Sequence, residues 1–195
     1  MQEFQNQFRA GHPLTRIVAA LLWLVMASPA QLSREEDLKA ALLWSFVRFT
    51  EWPSASAAET PIVIGIVEQP ELYNSMVRIT IGKSVQGRPI QVRWIRHLAD
   101  EKLCQVVYLG TLSGKNLEAH LSVARETSIL TIGEGERFHQ AGGIIQLFTE
   151  DGRLSFSVDL GRLGHTKLSI SSKLLRLGYT VKDQSAASGG GRSKL

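Results

Sequence analysis

Pro61-Ile-Val-Ile-Gly-Ile-Val67 is a continuous apolar, largely β-branched run with no polar residue to mark an outward face. A strand that reads this way is covered on both sides, as happens in parallel sheets sandwiched between helices. Gln105-Val-Val-Tyr-Leu109 and Ser128-Ile-Leu-Thr-Ile132 repeat the pattern. Between these runs lie stretches that read as helix, residues 70–81 and residues 114–124, the latter with Leu117, Leu121 and Ala124 on one side. Strands alternating with helices build βαβ units, whose crossovers put helices on both faces. Ile90, Val92 and Trp94 mark an alternating strand after a loop from Gly82 to Arg88. Asp151-Gly152, between residues 143–148 and 153–158, is the two-residue hairpin signal. The expectation is an α/β fold: a single-domain three-layer sandwich with a largely parallel, mixed sheet and an antiparallel hairpin.

Three further helices are expected. Leu38, Leu42, Phe46 and Phe49 recur near the helical period over residues 34–50, with Ser33 and Glu36 as a capping box and Pro53 as the stop. A short helix is expected over 136–140, closed by Gly142. The last is expected over 171–177, with a serine as its cap.

The two ends of the chain differ from this body. Arg9 and Arg16 precede the apolar Ile17–Ala27 stretch, which runs into Ser28-Pro29-Ala30. A positive flank, a short apolar core and small terminal residues make a secretory signal peptide. Residues 1–30 are therefore read as a leader cut after Ala30, residues 31–182 as the α/β domain, and residues 183–195 as a disordered tail too polar to bury a core. The final Ser193-Lys-Leu195 also fits a peroxisomal address, which contradicts an export signal and is read as chance. The expected location is the periplasm, with no stable membrane insertion, because the apolar core is too short to anchor.

Composition narrows the function. The chain has 195 residues and a net charge of +4, a mild and scattered excess unlike a nucleic-acid footprint. One cysteine, Cys104, excludes a disulfide scaffold and a cysteine-built metal site. Gly82-Lys-Ser lacks the first glycine of a phosphate loop and leads into a strand instead of a helix. Gly133-Glu-Gly135 and Gly142-Gly143 do not match the dinucleotide fingerprint. His97, His120, His139 and His165 have no metal-ligand spacing, so no metal and no cofactor is expected. Ser171 and Ser172 beside Lys173 are explained by capping, and Cys104 opens a buried-type strand, where a thiol is inert. No catalytic constellation emerges, and the chain is read as a non-enzyme.

An aromatic surface remains. Trp44 cannot fully share the core face of its helix with Phe46, and Trp52 sits at the helix exit. With Arg48 and Glu51 they form an aromatic pair flanked by charges of both signs, the composition of a partner anchor. Trp44, Arg48, Glu51 and Trp52 are the expected partner-binding residues; packing on the domain's own core is the competing role for both tryptophans.

Four ordered motifs carry a resemblance. Lys39-Ala-Ala…Phe46…Phe49-Thr-Glu-Trp-Pro53 resembles the opening motif of the YfiR family, exported regulators of membrane-bound diguanylate cyclases. Gly82-Lys83…Val85…Gly87-Arg88…Ile90…Val92-Arg93 is similar to that family's loop-to-strand motif. Ile129-Leu-Thr-Ile-Gly-Glu134…Phe138…Gly142-Gly143…Ile145 and Leu168…Ile170-Ser-Ser-Lys-Leu-Leu175…Leu177 continue the match over about residues 37–180. The resemblance implies an α/β sandwich that dimerises. It implies docking on the periplasmic sensing domain of an inner-membrane diguanylate cyclase or related sensor, which lowers cyclic di-GMP and restrains biofilm formation. Departures occur at Trp44-Ser45, where tyrosine and asparagine are common, and at Asp159, where asparagine is. Redox control through an internal disulfide is beyond a chain with Cys104 alone. A second expectation is a periplasmic small-molecule receptor, its ligand in the crevice at the carboxyl ends of the parallel strands, lined by Val67, Gly110 and Gly133.

Overall fold

The computed structural model describes residues 29–53, 60–181 and 193–194. Contacts group Glu36–Leu195 into one compact unit. The expected leader and tail lie outside the described residues, apart from Pro29, Ala30 and the pair Ser193–Lys194.

The β-branched runs form the strands they suggest. β2 (Ile62–Val67) is parallel to both β4 (Arg88–Ile95) and β5 (Val106–Tyr108). β6 (Leu130–Glu134) and β7 (Ile145–Glu150) extend the parallel part. The five parallel strands lie in the order β4-β2-β5-β6-β7, a doubly wound arrangement whose switch point falls between β2 and β5. β8 (Arg153–Asp159) turns back antiparallel to β7 across Asp151-Gly152. Both turn residues have positive φ, at 50° and 71°, as a type I′ hairpin requires. β10 (Tyr179–Val181) runs parallel to β8. Two-residue strands finish the edges, β3 (Ser84–Val85) beside β4 and β11 (Ser193–Lys194) beside β10.

Side chains alternate between two apolar layers along the central strands, as a period of two demands. Ile62, Ile64 and Ile66 of β2, with Val106 and Tyr108 of β5, face the layer covered by α1 (Pro29–Phe49) and α2 (Pro70–Thr80). Val63, Val67, Val107 and Leu109 face the other layer, covered by Leu117, Leu121 and Ala124 of α4 (Gly114–Thr127). Burying each large side chain of this kind is worth roughly 1.5–3 kcal/mol. Phe46 and Phe156 meet edge to face in the first layer, with ring centroids 4.9 Å apart. The three-layer sandwich is the expected one.

Several elements depart from their sequence patterns. α1 starts at Pro29, where proline's fixed φ suits a first turn, so position 33 lies inside the helix and not at its start. Its inward face is Ala40, Leu43, Phe46 and Val47, with Lys39 and Thr50 also buried, while Leu38 is 58% exposed. The stripe through Leu38 is therefore displaced, because Leu42, Leu43, Trp44, Phe46, Val47 and Phe49 cover more than one helical face and the spacing fits more than one stripe. Residues 136–141 form turns instead of a helix. The Gly82–Arg88 loop is a tight hairpin: β3 pairs with β4 across Gln86-Gly87, whose φ values are 53° and 76°. The last helix shortens to α6 (Ser172–Leu175), with Ser171 capping it by accepting the Lys173 N–H at 3.3 Å. Two more short helices, α3 (Leu98–Glu101) and α5 (Leu160–Gly164), had no pattern long enough to read. Outside the main sheet, β1 (Thr50–Glu51) pairs antiparallel with β9 (Ser169–Ile170).

Candidate functional site

α1 passes straight into β1, and the junction is held from both sides. The Ser171 N–H donates to the Phe49 carbonyl at 2.9 Å on one side. On the other, the Gln86 amide donates to the Thr50 carbonyl at 3.2 Å and accepts the Trp52 N–H at 3.4 Å. The left-handed backbone of Gln86 brings its side chain to the helix exit, which explains structurally why the glycine-rich hairpin and the helix exit belong to one arrangement.

The four expected partner-binding residues separate into two environments. Trp52 is only 7% exposed, and its indole N–H donates to the Val47 carbonyl at 3.2 Å. It is a satisfied core side chain that braces the helix exit from within. Trp44 is half-buried, while Arg48 and Glu51 are exposed. The Arg48 guanidinium lies 5.9 Å from the Trp44 ring centroid, and the Lys83 ammonium lies 5.2 Å from it. Cations over an indole face at exposed sites are worth about 0.5–1 kcal/mol each, enough to hold the ring in one orientation. Lys83, 39 positions from Trp44 in sequence, was not foreseeable from helical spacing. The structure thus presents Trp44, Arg48 and Lys83 together, with the exposed Leu38 and Ala41 nearer the helix start.

Beneath this face runs a polar cluster. Lys39, 8% exposed, pairs with Glu134 at 3.0 Å and with Glu36 at 3.3 Å. Tyr108 donates its hydroxyl proton to the same Glu134. The cluster ties α1 to the carboxyl ends of β5 and β6, and each charge in it has a partner. Elsewhere Glu101, buried behind β4, shares a hydrogen bond with His120 Nδ1. His139 Nε2 meets Ser157 Oγ at 2.8 Å while its Nδ1 meets the Gly143 carbonyl at 3.0 Å. This has the form of a base beside a hydroxyl nucleophile, but Ser157 is 1% exposed and out of a substrate's reach. Among the described residues no group of three or more His, Cys, Asp or Glu side chains is placed to hold a metal. The Cys104 thiol is buried, donates weakly to the Asp100 carbonyl at 3.7 Å, and is pushed up to about 11, chiefly by burial.

The carboxyl-end crevice is not built as expected. Val67 is buried in the second layer. At Gly110 the space a side chain would take is held by Gln69, whose Nε2 lies 3.2 Å from a Cβ position. At Gly133 it is held by the Phe138 ring. A cavity of about 690 Å³ does open at this end, beyond β5 and β6, but its walls include Thr111, Ser113, Glu118, Glu134 and Arg137, with none of the three residues named for it.

The family model described as YfiR/HmsC-like matches residues 36–179. No curated protein matches the sequence significantly. Among solved structures, the chain is similar to a conserved domain protein from Vibrio cholerae O1 biovar El Tor, at 11% identity and a TM-score of 0.47, over 76% of this chain and 60% of that one. It is also similar to an O-acetylhomoserine sulfhydrylase from Wolinella succinogenes, at 14% identity and a TM-score of 0.37, over 60% of this chain and 37% of that one. The chain thus spans less than two thirds of either solved structure.

Proposed function

The chain belongs to the YfiR/HmsC-like family, a family of periplasmic regulators of cyclic di-GMP signalling, and from that premise we propose that it represses an inner-membrane diguanylate cyclase. The exposed face of α1, centred on Trp44 between Arg48 and Lys83, docks on the cyclase's periplasmic sensing domain and holds its catalytic domain inactive. The observation that carries this reading is the half-buried tryptophan fixed between two cations on an exposed helix face. Aromatic anchors with a charged rim are what interface hot spots are made of, and the two cations select an acidic rim on the partner. Glu51 completes the rim, and Trp52 supports it from the core. The repressor acts as a homodimer and reaches the periplasm by removal of residues 1–30. No described helix is long and apolar enough to cross a membrane.

The test is cellular cyclic di-GMP together with affinity for the isolated sensing domain of an inner-membrane diguanylate cyclase from the same cell. Deleting the protein should raise cyclic di-GMP, and Trp44→Ala should do the same while weakening binding about thirtyfold, the equivalent of about 2 kcal/mol. Unchanged cyclic di-GMP on deletion overturns the proposal. Sedimentation of the purified protein checks the dimer, and mass spectrometry of the exported form checks for an N-terminus at Gln31. The cavity beyond β5 and β6 supports a second reading, a small-molecule receptor at the carboxyl end of the sheet. A thermal-shift screen against periplasmic metabolites tests it, and a Glu118→Ala variant that keeps every shift refutes this location.

A further inference from the structure

A second cavity, of about 270 Å³, lies at the opposite end of the strands, where Ile129 precedes β6, Thr131 lies near its start and Ile144 precedes β7. Open α/β sheets ordinarily bind ligands at their carboxyl ends, so nothing in the fold type anticipates a site here. Two arginines distant in sequence converge on it: Arg125 from the last turn of α4 and Arg162 from α5. Both point at one residue, the buried Gly142, whose φ of 102° excludes most other side chains. A Cβ built there would lie 3.7 Å from Arg162 Cζ and 3.9 Å from Arg125 Nη1. Glycine leaves that space open between the two guanidinium groups.

Like charges brought this close need a reason. Arg125 donates its Nε–H to the Leu121 carbonyl at 3.2 Å, which fixes the side chain with its terminal N–H groups still free to donate. Arg162 is half-buried. Among the described residues, neither guanidinium has a carboxylate within ion-pair distance. Asp159 is close in sequence to Arg162, but its carboxylate accepts the Arg162 backbone N–H at 2.9 Å as the cap of α5. Thr131, 2% exposed, accepts the Ile144 N–H at 3.0 Å, which leaves its own hydroxyl proton to donate into the cavity. The donors therefore outnumber the acceptors at one wall. Leu121, Ala124, Ile129 and Ile144 make an apolar wall, and the exposed His165 and half-buried Thr166 complete the lining, with the Thr166 hydroxyl committed to the Leu163 carbonyl at 2.7 Å.

We propose that this cavity is a binding site for a small organic carboxylate with an apolar body. The carboxylate lies between Arg125 and Arg162, where planar guanidinium groups match its two oxygens in a bidentate manner. The body rests on the aliphatic wall. A bare inorganic ion would satisfy the arginines but leave that wall wet. The volume is just below the usual range for ligand pockets, about 300–1,000 Å³, which fits a compact ligand. Leu121, Ala124 and Ile129 belong to the layer on the opposite face of the sheet from α1, so occupancy of this site leaves the α1 face open.

The probes are benzoate, its neutral relative benzamide, and inorganic phosphate, added to the mature chain and followed by calorimetric titration and thermal shift. Benzoate should bind and raise the melting temperature with concentration. Benzamide should bind at least about tenfold more weakly, as loss of a charge-assisted pair predicts. Arg125→Gln and Arg162→Gln should each weaken benzoate about tenfold or more while preserving the circular dichroism spectrum. Equal binding of benzoate and benzamide, unchanged binding in both variants, or no binding of benzoate overturns the proposal. Phosphate binding as tightly as benzoate overturns the role of the apolar wall. None of these outcomes depends on a cyclase partner, so the site stands or falls separately from repression.

Discussion

Replacing Gly143 with alanine tests the closest side-chain approach to a glycine among the described residues. The Phe138 ring is wedged between two glycines. A Cβ at Gly143 would lie 2.0 Å from Phe138 Cε1, and one at Gly133 would lie 2.2 Å from Cε2. Carbon–carbon contact needs about 3.5 Å, so Gly143→Ala forces the ring to retreat by roughly 1.5 Å. The opposite ring edge is already against Gly133, so no retreat is open in that direction. Overpacking that can be relieved costs about 1–3 kcal/mol. Expelling the ring costs as much as deleting it, about 3–5 kcal/mol. We expect Gly143→Ala to fall where these ranges meet, near 3 kcal/mol, or about 6–12 °C in melting temperature at this chain length. In a Phe138→Ala background the added methyl enters vacated space, so its cost should vanish or reverse slightly through the lower entropy of the unfolded chain. The cycle of two single variants and the double variant, measured by urea unfolding with unchanged slope, should show a coupling of about 3 kcal/mol. Additivity within about 0.5 kcal/mol refutes the wedge.

Trp52→Ala should lose about 3–5 kcal/mol of stability as a core deletion, whereas Trp44→Ala should melt within about 1 kcal/mol of the parent; the reverse order in urea unfolding contradicts the two environments described. Lys39→Ala removes one partner of a buried pair and should cost about 3 kcal/mol, part of which returns when Glu134→Gln is added, as equilibrium unfolding would show. Cys104 should be almost inert to a thiol reagent in the folded protein at pH 8, because raising the thiol from 9.0 to about 11 cuts the thiolate about a hundredfold. Its folded value lies above its unfolded one, so the native state holds the proton longer. This contribution to stability is full below about pH 9 and is lost as pH rises from about 9 to about 11. The parent should therefore lose more stability over that interval than Cys104→Ser, and equal losses would refute the burial of the thiol.

The layers of the fold were legible because a strand covered on both faces has no polar residue to disguise it, as in residues 62–67. The Asp151-Gly152 turn was legible because few dipeptides accept two positive φ values. The rotation of α1 was not, since it depends on Lys39 being buried. A lysine goes inside only where a distant carboxylate meets it, and Glu134 lies 95 positions away. Trp44 and Trp52 looked alike in sequence, yet Val47 offers a carbonyl to one and Lys83 an ammonium to the other. Arg125 and Arg162 carry no spacing signal, because the turn at Gly142 and the β7–β8 hairpin bring them together.

The pairing of Thr50 with Ile170 also sets a clock. These partners are about 120 residues apart, and a chain made at about 5–20 residues per second presents the second roughly 6–24 s after the first. During that interval Phe46 and Val47 have no Leu168, Ile170 or Leu174 to pack against, although all share one core layer once the fold closes. Loop closure over such a distance is slow and yields no contacts until it is complete. The first helix consequently waits for its closing layer until residues 168–174 have appeared. A chain that ends before residue 168 would keep its first helix without the closing layer, and would be a substrate for proteases instead of a slower-folding version of the same protein.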